Sequence, residues 1–231
     1  MKISMKKRKI GYTYGSLSGN YAFRGEKSIQ FESSLERDFI TMMEFDNCVV
    51  DIVEQPMTFE YVNANGRSVT YTPDFLVYFR SNGYRSSKEG FPKPLLVEVK
   101  PRDKLRKEFP LYRDRFKIAM AYAMQNDMVF KIYDESRIRG IYLENILLLK
   151  RHRRHEYDEV EEERILMHLS LVGSTNVEHL LTYLYATDIQ RKVALGHLLQ
   201  LIDRRLVGCD LSLPLGYQTS IWLSESAWGG Y

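Results

Sequence analysis

The sequence predicts an α/β domain over residues 1–160 followed by a winged-helix-like helical domain over 161–231. Three observations carry this reading. Short apolar strand patterns cluster between residues 49 and 133, amphipathic helices flank them, and beyond Glu161 the pattern changes to helices closed by a short hairpin.

Residues 1–30 scatter Gly11, Gly15, Gly19 and Gly25 among Tyr, Ser and basic residues, which predicts an extended arm without core elements. Ser33, Ser34 and Leu35 then lead into a helix. Leu35, Phe39, Met42 or Met43 and Phe45 form its apolar face, with Glu36 along its edge. Strand patterns follow at 49–53, 58–62, 68–71 and 75–79, with an Asn65-Gly66 turn between the second and third. Gly, Ser, Lys and Pro over 82–94 predict a surface loop, and 95–99 reads as a buried strand. The stretch 105–124 is helical, with Pro110 expected to interrupt it, and 128–133 is the last strand pattern. In the second domain helices are expected at 161–169, 176–185 and 190–205. A hairpin over 206–211 and 217–223 follows, with Pro214 and Gly216 near its turn. A small helical docking domain is the competing reading there.

Composition narrows function less than motif does. The chain has 231 residues, 44% of them hydrophobic, and a formal charge of +3 from 33 basic and 30 acidic residues, too mild to indicate a nucleic-acid partner. Charge placement says more. Lys2 and Lys6 to Lys9 load the N-terminus, and eight Lys or Arg lie between Lys100 and Lys117. Lys150 to Arg154 form a further basic knot, suited to phosphate or an acidic protein, followed by six carboxylates over 156–163. With no signal-like apolar region, no membrane-length apolar run, and only Cys48 and Cys209, the expected setting is cytoplasmic and reducing. One disulfide stays open. The five histidines form no zinc set: His152 and His155 lack a completing pair, and His168, His179 and His197 read as helix or interface residues. Trp222 and Trp228 read as packing residues.

The chemistry resides in residues 71–79, YTPDFLVYF, and 95–103, LLVEVKPRD. Glu98 and Lys100 are two residues apart on a strand and so emerge on one face, while Val97 and Val99 turn to the other. A hairpin places Asp74 beside them, and the preceding helix brings Glu36 to the rim. Carboxylates converging with a lysine suit phosphodiester hydrolysis, in which a divalent ion held by oxygen ligands stabilises charge gathering on phosphate. Asp74 and Glu98 are the first candidates to ligate Mg²⁺, for which Mn²⁺ can substitute. Glu36 is a third candidate, and the backbone carbonyl of Val99 a weaker one. Lys100 would steer water or counter charge on phosphate. A lone Glu-x-Lys pair is ordinarily a solvated ion pair; its setting among two apolar strands and an acidic helix gives it weight. Arg102, Lys104, Arg106 and Lys107 follow closely enough to place the DNA backbone. Arg24 and the Lys6 to Lys9 group are equally open to DNA contact or to a solubilising arm.

The sequence resembles TnsA, the endonuclease subunit of heteromeric cut-and-paste bacterial transposases, within the restriction-endonuclease-like fold. FESSLERDF at 31–39 resembles its first catalytic helix, YTPDF at 71–75 its central acidic motif, and LLVEVKP at 95–101 its Glu-x-Lys motif, with Gln55-Pro56 in the joining region. The resemblance implies catalytic roles for Glu36, Asp74, Glu98 and Lys100. It also implies cutting of the non-transferred strands near the transposon 5′ ends. Implied partners are transposon-end DNA, a DDE-type TnsB, an AAA+ TnsC and, through TnsC, an RNA-guided or protein targeting complex. From the second domain, Arg191, Lys192, Arg204 and Arg205 are offered for phosphate or an acidic partner. The competing expectations are a general repair or restriction endonuclease and a DNA-bound assembly factor that no longer cuts.

Overall fold

Residues 95–99 form a strand with every side chain buried, and the first of two compact units is layered around it. The computed structural model describes residues 2–4, 17–63, 66–80, 93–153 and 158–224. The units are Met1–Arg139 and Gly140–Tyr231.

The first unit contains, among its described residues, β1 (Lys2–Ser4), β2 (Gly19–Phe23), β3 (Lys27–Phe31), α1 (Ser34–Phe45), β4 (Val49–Glu54) and β5 (Thr58–Val62). β6 (Ser68–Tyr71), β7 (Phe75–Phe79), β8 (Leu95–Val99), α2 (Arg102–Gln125), β9 (Val129–Tyr133) and α3 (Glu135–Ile138) complete it. The central sheet runs β4-β7-β8-β9, antiparallel except for the parallel pair β8 and β9. A parallel pair needs a long crossover, and α2 supplies it. Strand alternation then divides labour between two layers. Phe75, opposite Val97, stacks on Phe39 of α1 with ring centroids 5.4 Å apart. Leu76, opposite Leu96, joins Met57, Phe59 and Tyr71 beneath Tyr112, Phe116 and Ala119 of α2. Those α2 positions recur at spacings of four and three, as a helix stripe must. The even-numbered side chains of β8, Glu98 included, therefore face the α2 layer.

Three expectations need correction. Residues 19–31 are not an arm: β2 and β3 pair as an antiparallel hairpin whose Tyr21, Phe23, Ile29 and Phe31 are buried. The period-two alternation was present but obscured by the surrounding glycines. α2 is one continuous helix through Pro110. Proline removes the bond to the Arg106 carbonyl, but both residues lie on the exposed side, where water satisfies that oxygen. The division between units falls after Arg139 instead of at 160/161. The reason is α4 (Ile141–His152), which packs in the second unit.

Beyond α4, that unit contains α5 (Glu159–Val172), β10 (Ser174–Asn176), α6 (Val177–Leu184), α7 (Asp188–Asp203), β11 (Val207–Cys209) and β12 (Ser220–Leu223), with sheet order β10-β12-β11. α4 buries Leu143, Ile146 and Leu149. The Asn145 amide donates to the Leu211 and Leu213 carbonyls and accepts from the Leu215 N–H. Gln200 of α7 donates to the His152 carbonyl, and Arg153 grips Asp203 through two bonds. Trp222 lies flat over Gly208, where a Cβ would sit 2.3 Å from its indole. His168, buried, packs against Tyr183, and His179 meets the Thr175 hydroxyl. Cys48 and Cys209 are not joined by a disulfide. No helix among the described residues is long and apolar enough to cross a membrane. Asn65, the 81–92 part of the expected loop, Lys6 to Lys9, Arg154, His155 and Trp228 lie outside the described residues.

Phe39 is fully buried and meets both Phe75 and Tyr133, at 5.4 and 5.0 Å. Phe39→Ala should therefore cost about 3–5 kcal/mol, read as faster amide exchange across α1, β7 and β8.

Candidate active site

Pro73 cannot donate to a ladder, so strand pairing on this side begins with Asp74, just before β7. The Asp74 N–H donates to the Val97 carbonyl at 3.0 Å, and its own carbonyl accepts from Gln55 N–H at 2.8 Å. Its side chain then does what the next backbone carbonyl would have done: Oδ2 accepts the Val99 N–H at 2.6 Å. Asp74 is thereby locked against the end of β8. There Glu98, 1% exposed, and Lys100 project on the α2 side, with Lys100 Nζ 3.1 Å from Glu98 Oε1. Glu98 Oε2 accepts from the Tyr71 hydroxyl at 2.9 Å.

Asp74, Glu98 and Lys100 line one polar cavity of about 160 Å³, together with Glu32, Gln55, Thr70, Tyr71, Thr72 and Arg115. Glu36 is not among the lining residues. It is the third residue of α1, and its carboxylate caps that helix, accepting from the Ser33 hydroxyl at 2.9 Å and the Glu32 N–H at 2.8 Å. Its charge nevertheless reaches the cavity, where it contributes to raising the Asp74 pKa. Val99 meets Asp74 through its N–H, not its carbonyl.

Burial, then the charge of Glu98, hold the Asp74 carboxyl well above the ordinary carboxylate range, against the opposing pull of Lys100 and the Val99 N–H. Burial also raises Glu36, with the Glu32 N–H and the Ser33 hydroxyl acting against it. Burial by itself would lower Lys100. The charges of Glu98 and Asp74 and the bond to Glu98 more than reverse this, so its ammonium is held protonated. Burial and the Glu98 charge likewise raise the Tyr71 phenol, which stays a donor.

The donors available to a metal are all oxygens: the Asp74, Glu98 and Glu32 carboxylates and Gln55 Oε1, a buried atom with no hydrogen-bond partner among the described residues. Hard oxygen donors suit Mg²⁺ or Mn²⁺. Among the described residues no three Asp, Glu, His or Cys form a ready-made metal cluster, consistent with Glu36 being engaged in its cap. Gln55 adopts φ of 44°, a strained value for a residue with a side chain, and its Nε2 donates to Glu32 at 3.1 Å.

Arg102, Lys104, Arg106 and Lys107 are exposed at the start of α2, immediately after Lys100. Arg102 lies 3.9 Å from Asp134; the other three make no ion pair among the described residues. Arg24 serves the fold instead, its guanidinium donating to the Glu44 and Asp46 carbonyls and lying over Phe23. In the second unit Arg191 bonds to the Tyr185 and Ala186 carbonyls and to Asp188, and Arg204 to Glu162. The sequence reading passed over Glu32, Tyr71 and Arg115 and treated Gln55 only as a joint. Arg115 carried a signal, sitting one helical turn beyond Tyr112.

Residues 46–135 match a family model described as TnsA-like endonuclease N terminal. The match spans β4 to β9, so it contains Gln55, Asp74, Glu98, Lys100 and Arg115, while Glu36 and the second unit lie outside it. No curated protein matches the chain.

A carboxyl whose pKa is raised by folding holds its proton more tightly in the native state. Its contribution is favourable at low pH and is lost as pH rises through the raised Asp74 value. Asp74→Asn keeps an acceptor for the Val99 N–H and removes the charge. In metal-free buffer at neutral pH it should stabilise the protein, with the gain shrinking on acidification. Thermal melts across pH measure this, and an Asp74→Asn protein less stable than wild type at neutral pH contradicts it.

Proposed function

We propose that this chain, which carries a TnsA-like endonuclease N-terminal domain, is the DNA-cutting subunit of a Tn7-like transposase and hydrolyses the non-transferred strands near the transposon 5′ ends. The observation that carries the reading is the convergence of Asp74, Glu98 and Lys100 on one polar cavity inside the matched segment.

In this reading Asp74 and Glu98 hold Mg²⁺, with Mn²⁺ able to replace it, and Gln55 Oε1 and the Val99 carbonyl are further oxygens for the ion. The bound ion would supply Lewis acidity toward phosphate and a more acidic water. Lys100, protonated between Glu98 and Asp74, offsets charge on the phosphate as the bond to the attacking water forms. It acts as a cation and not as the base. Tyr71 donates to Glu98 and fixes which carboxylate oxygen faces Lys100. Glu36 accepts one cap hydrogen bond on each carboxylate oxygen and would reach the ion as a third ligand through a remaining lone pair. Arg102, Lys104, Arg106 and Lys107 place the neighbouring DNA backbone, the last three with no ion pair among the described residues.

The second unit is read as a winged helix that recruits the cutting unit to TnsB and TnsC, and through TnsC to a targeting complex. Support comes from its order α5, β10, α6, α7, β11, β12 and from the sheet order β10-β12-β11, which places the last strand between the other two.

With Mg²⁺, transposon-end DNA and the partner subunits, Asp74→Ala and Glu98→Ala should reduce 5′-end cutting to background while remaining folded. Lys100→Ala should retain metal binding and lose about 10²–10³-fold in rate. Wild-type cutting by purified Asp74→Ala would falsify the site. A chain ending at Arg139 should keep metal binding by the cavity but lose partner-directed cutting. Unchanged pull-down of TnsC by that chain would refute the recruiting role of the second unit.

A further inference from the structure

We propose that Arg115 is the phosphate-gripping residue of this site, its guanidinium taking the anionic oxygens of a DNA phosphate at the Asp74, Glu98 and Lys100 cavity. The inference rests on the nuclease reading for its substrate class but on separate observations for the residue.

Arg115 lines the cavity from α2. Its guanidinium carbon lies 5.0 Å from the ring centre of Tyr112 and 5.8 Å from that of Tyr71. Two aromatic faces fix the orientation of a planar cation and leave its donor edge to be used elsewhere. Yet Nε is enclosed and has no hydrogen-bond partner among the described residues. Arginines that serve the fold behave differently. Arg139 bonds to Asp38 and Ser34, Arg153 to Asp203, and Arg191 to the Tyr185 carbonyl.

An enclosed charged donor without an acceptor is costly, and the carboxylates nearby do not relieve it. Glu98 already accepts from Tyr71 and pairs with Lys100, and Asp74 accepts from Val99. Arg115 is thus a cation in the cavity whose hydrogen bonds are unspent, held in a fixed plane by its tyrosines. The ligand that satisfies such a group is a tetrahedral oxyanion with two oxygens to offer, which DNA presents at every phosphate. Arg115 would work beside Lys100 and not through it: Lys100, paired with Glu98, faces the reacting phosphate as a point charge, while Arg115 grips the strand with its fork.

The test uses the full chain with a short duplex in Ca²⁺, binding being followed as salt is varied, and cutting measured separately in Mg²⁺ with partner subunits. Arg115→Met should bind about 10-fold or more weakly, and the slope of log affinity against log salt should flatten by about 0.9. Arg115→Lys keeps the charge without the fork. It should retain the slope, still cut more slowly than wild type, and serve as the decisive variant should Arg115→Met not fold. A purely structural brace predicts another pattern: a lower melting temperature with wild-type salt slope in Arg115→Met and wild-type cutting in Arg115→Lys. That outcome overturns the proposal. A wild-type chain that binds DNA but never cuts sinks the nuclease reading alone, since the salt slope of Arg115→Met still decides the role of Arg115.

Discussion

The bond from the Val99 N–H to Asp74 Oδ2 is the constraint on which the site depends. It stands where a strand ladder would have continued, had Pro73 not ended the pairing on that side. The side chain of Asp74 thereby becomes part of the sheet, and its position is set by the same register that pairs Phe75 with Val97 and Leu76 with Leu96. Those pairs are in turn held by the two layers, Phe39 on one face and the Tyr112, Phe116 and Ala119 stripe on the other. Packing far from the carboxylates thus determines how far Asp74 stands from Glu98. A carboxylate that replaces a backbone acceptor cannot drift without breaking that bond to the sheet.

Electrostatics opposes this arrangement. Asp74, Glu98 and Glu32 share one cavity, Glu36 adds its field from the end of α1, and burial weakens the water that would screen them. The fold answers with Lys100, with the Val99 N–H and with Tyr71, each directed at one oxygen of a carboxylate. The Asp74 carboxyl is still held above its ordinary range, by burial first and by the Glu98 charge second. In the proposed metal-bound state a divalent cation would offset these charges, so affinity for the ion and instability without it would arise from the same groups.

The strands and the main chemistry were legible because they follow period two and because Glu98 and Lys100 are two apart. That spacing fixes a shared face without any knowledge of the fold. Asp74 was legible only in part: its identity stood in the sequence, but its bond to Val99 depends on a register set by distant packing. Glu36 shows the converse. Its position on the helix was read correctly, yet the Ser33-x-x-Glu36 pattern carried a capping role alongside the expected catalytic one, and in this structure the cap holds the carboxylate. The β2 and β3 hairpin was hidden by its glycines, and the allegiance of α4 by the fact that Asn145 finds its partners near residue 213. Contacts at such separations leave no periodic trace.

Basic residues separate into two populations, and the separation bears on where DNA lies. Arg24, Arg139, Arg153, Arg191 and Arg204 are each tied to a carbonyl or carboxylate, so their positive charge is largely spent within the protein. Lys104, Arg106 and Lys107 are exposed and make no ion pair among the described residues, and Arg115 lies over its tyrosines in the cavity itself. Lys104, Arg106 and Lys107 thus place unpaired charge at the start of α2, which begins two residues after Lys100. Positive charges near a helix N-terminus oppose the helix dipole, so these side chains weaken α2 slightly in the free protein. A polyanion lying along that end reverses the sign of the interaction, gaining from both the side chains and the dipole. The helix that closes the parallel crossover is thus also the one whose charge pattern is favourable only with a strand of phosphates beside it.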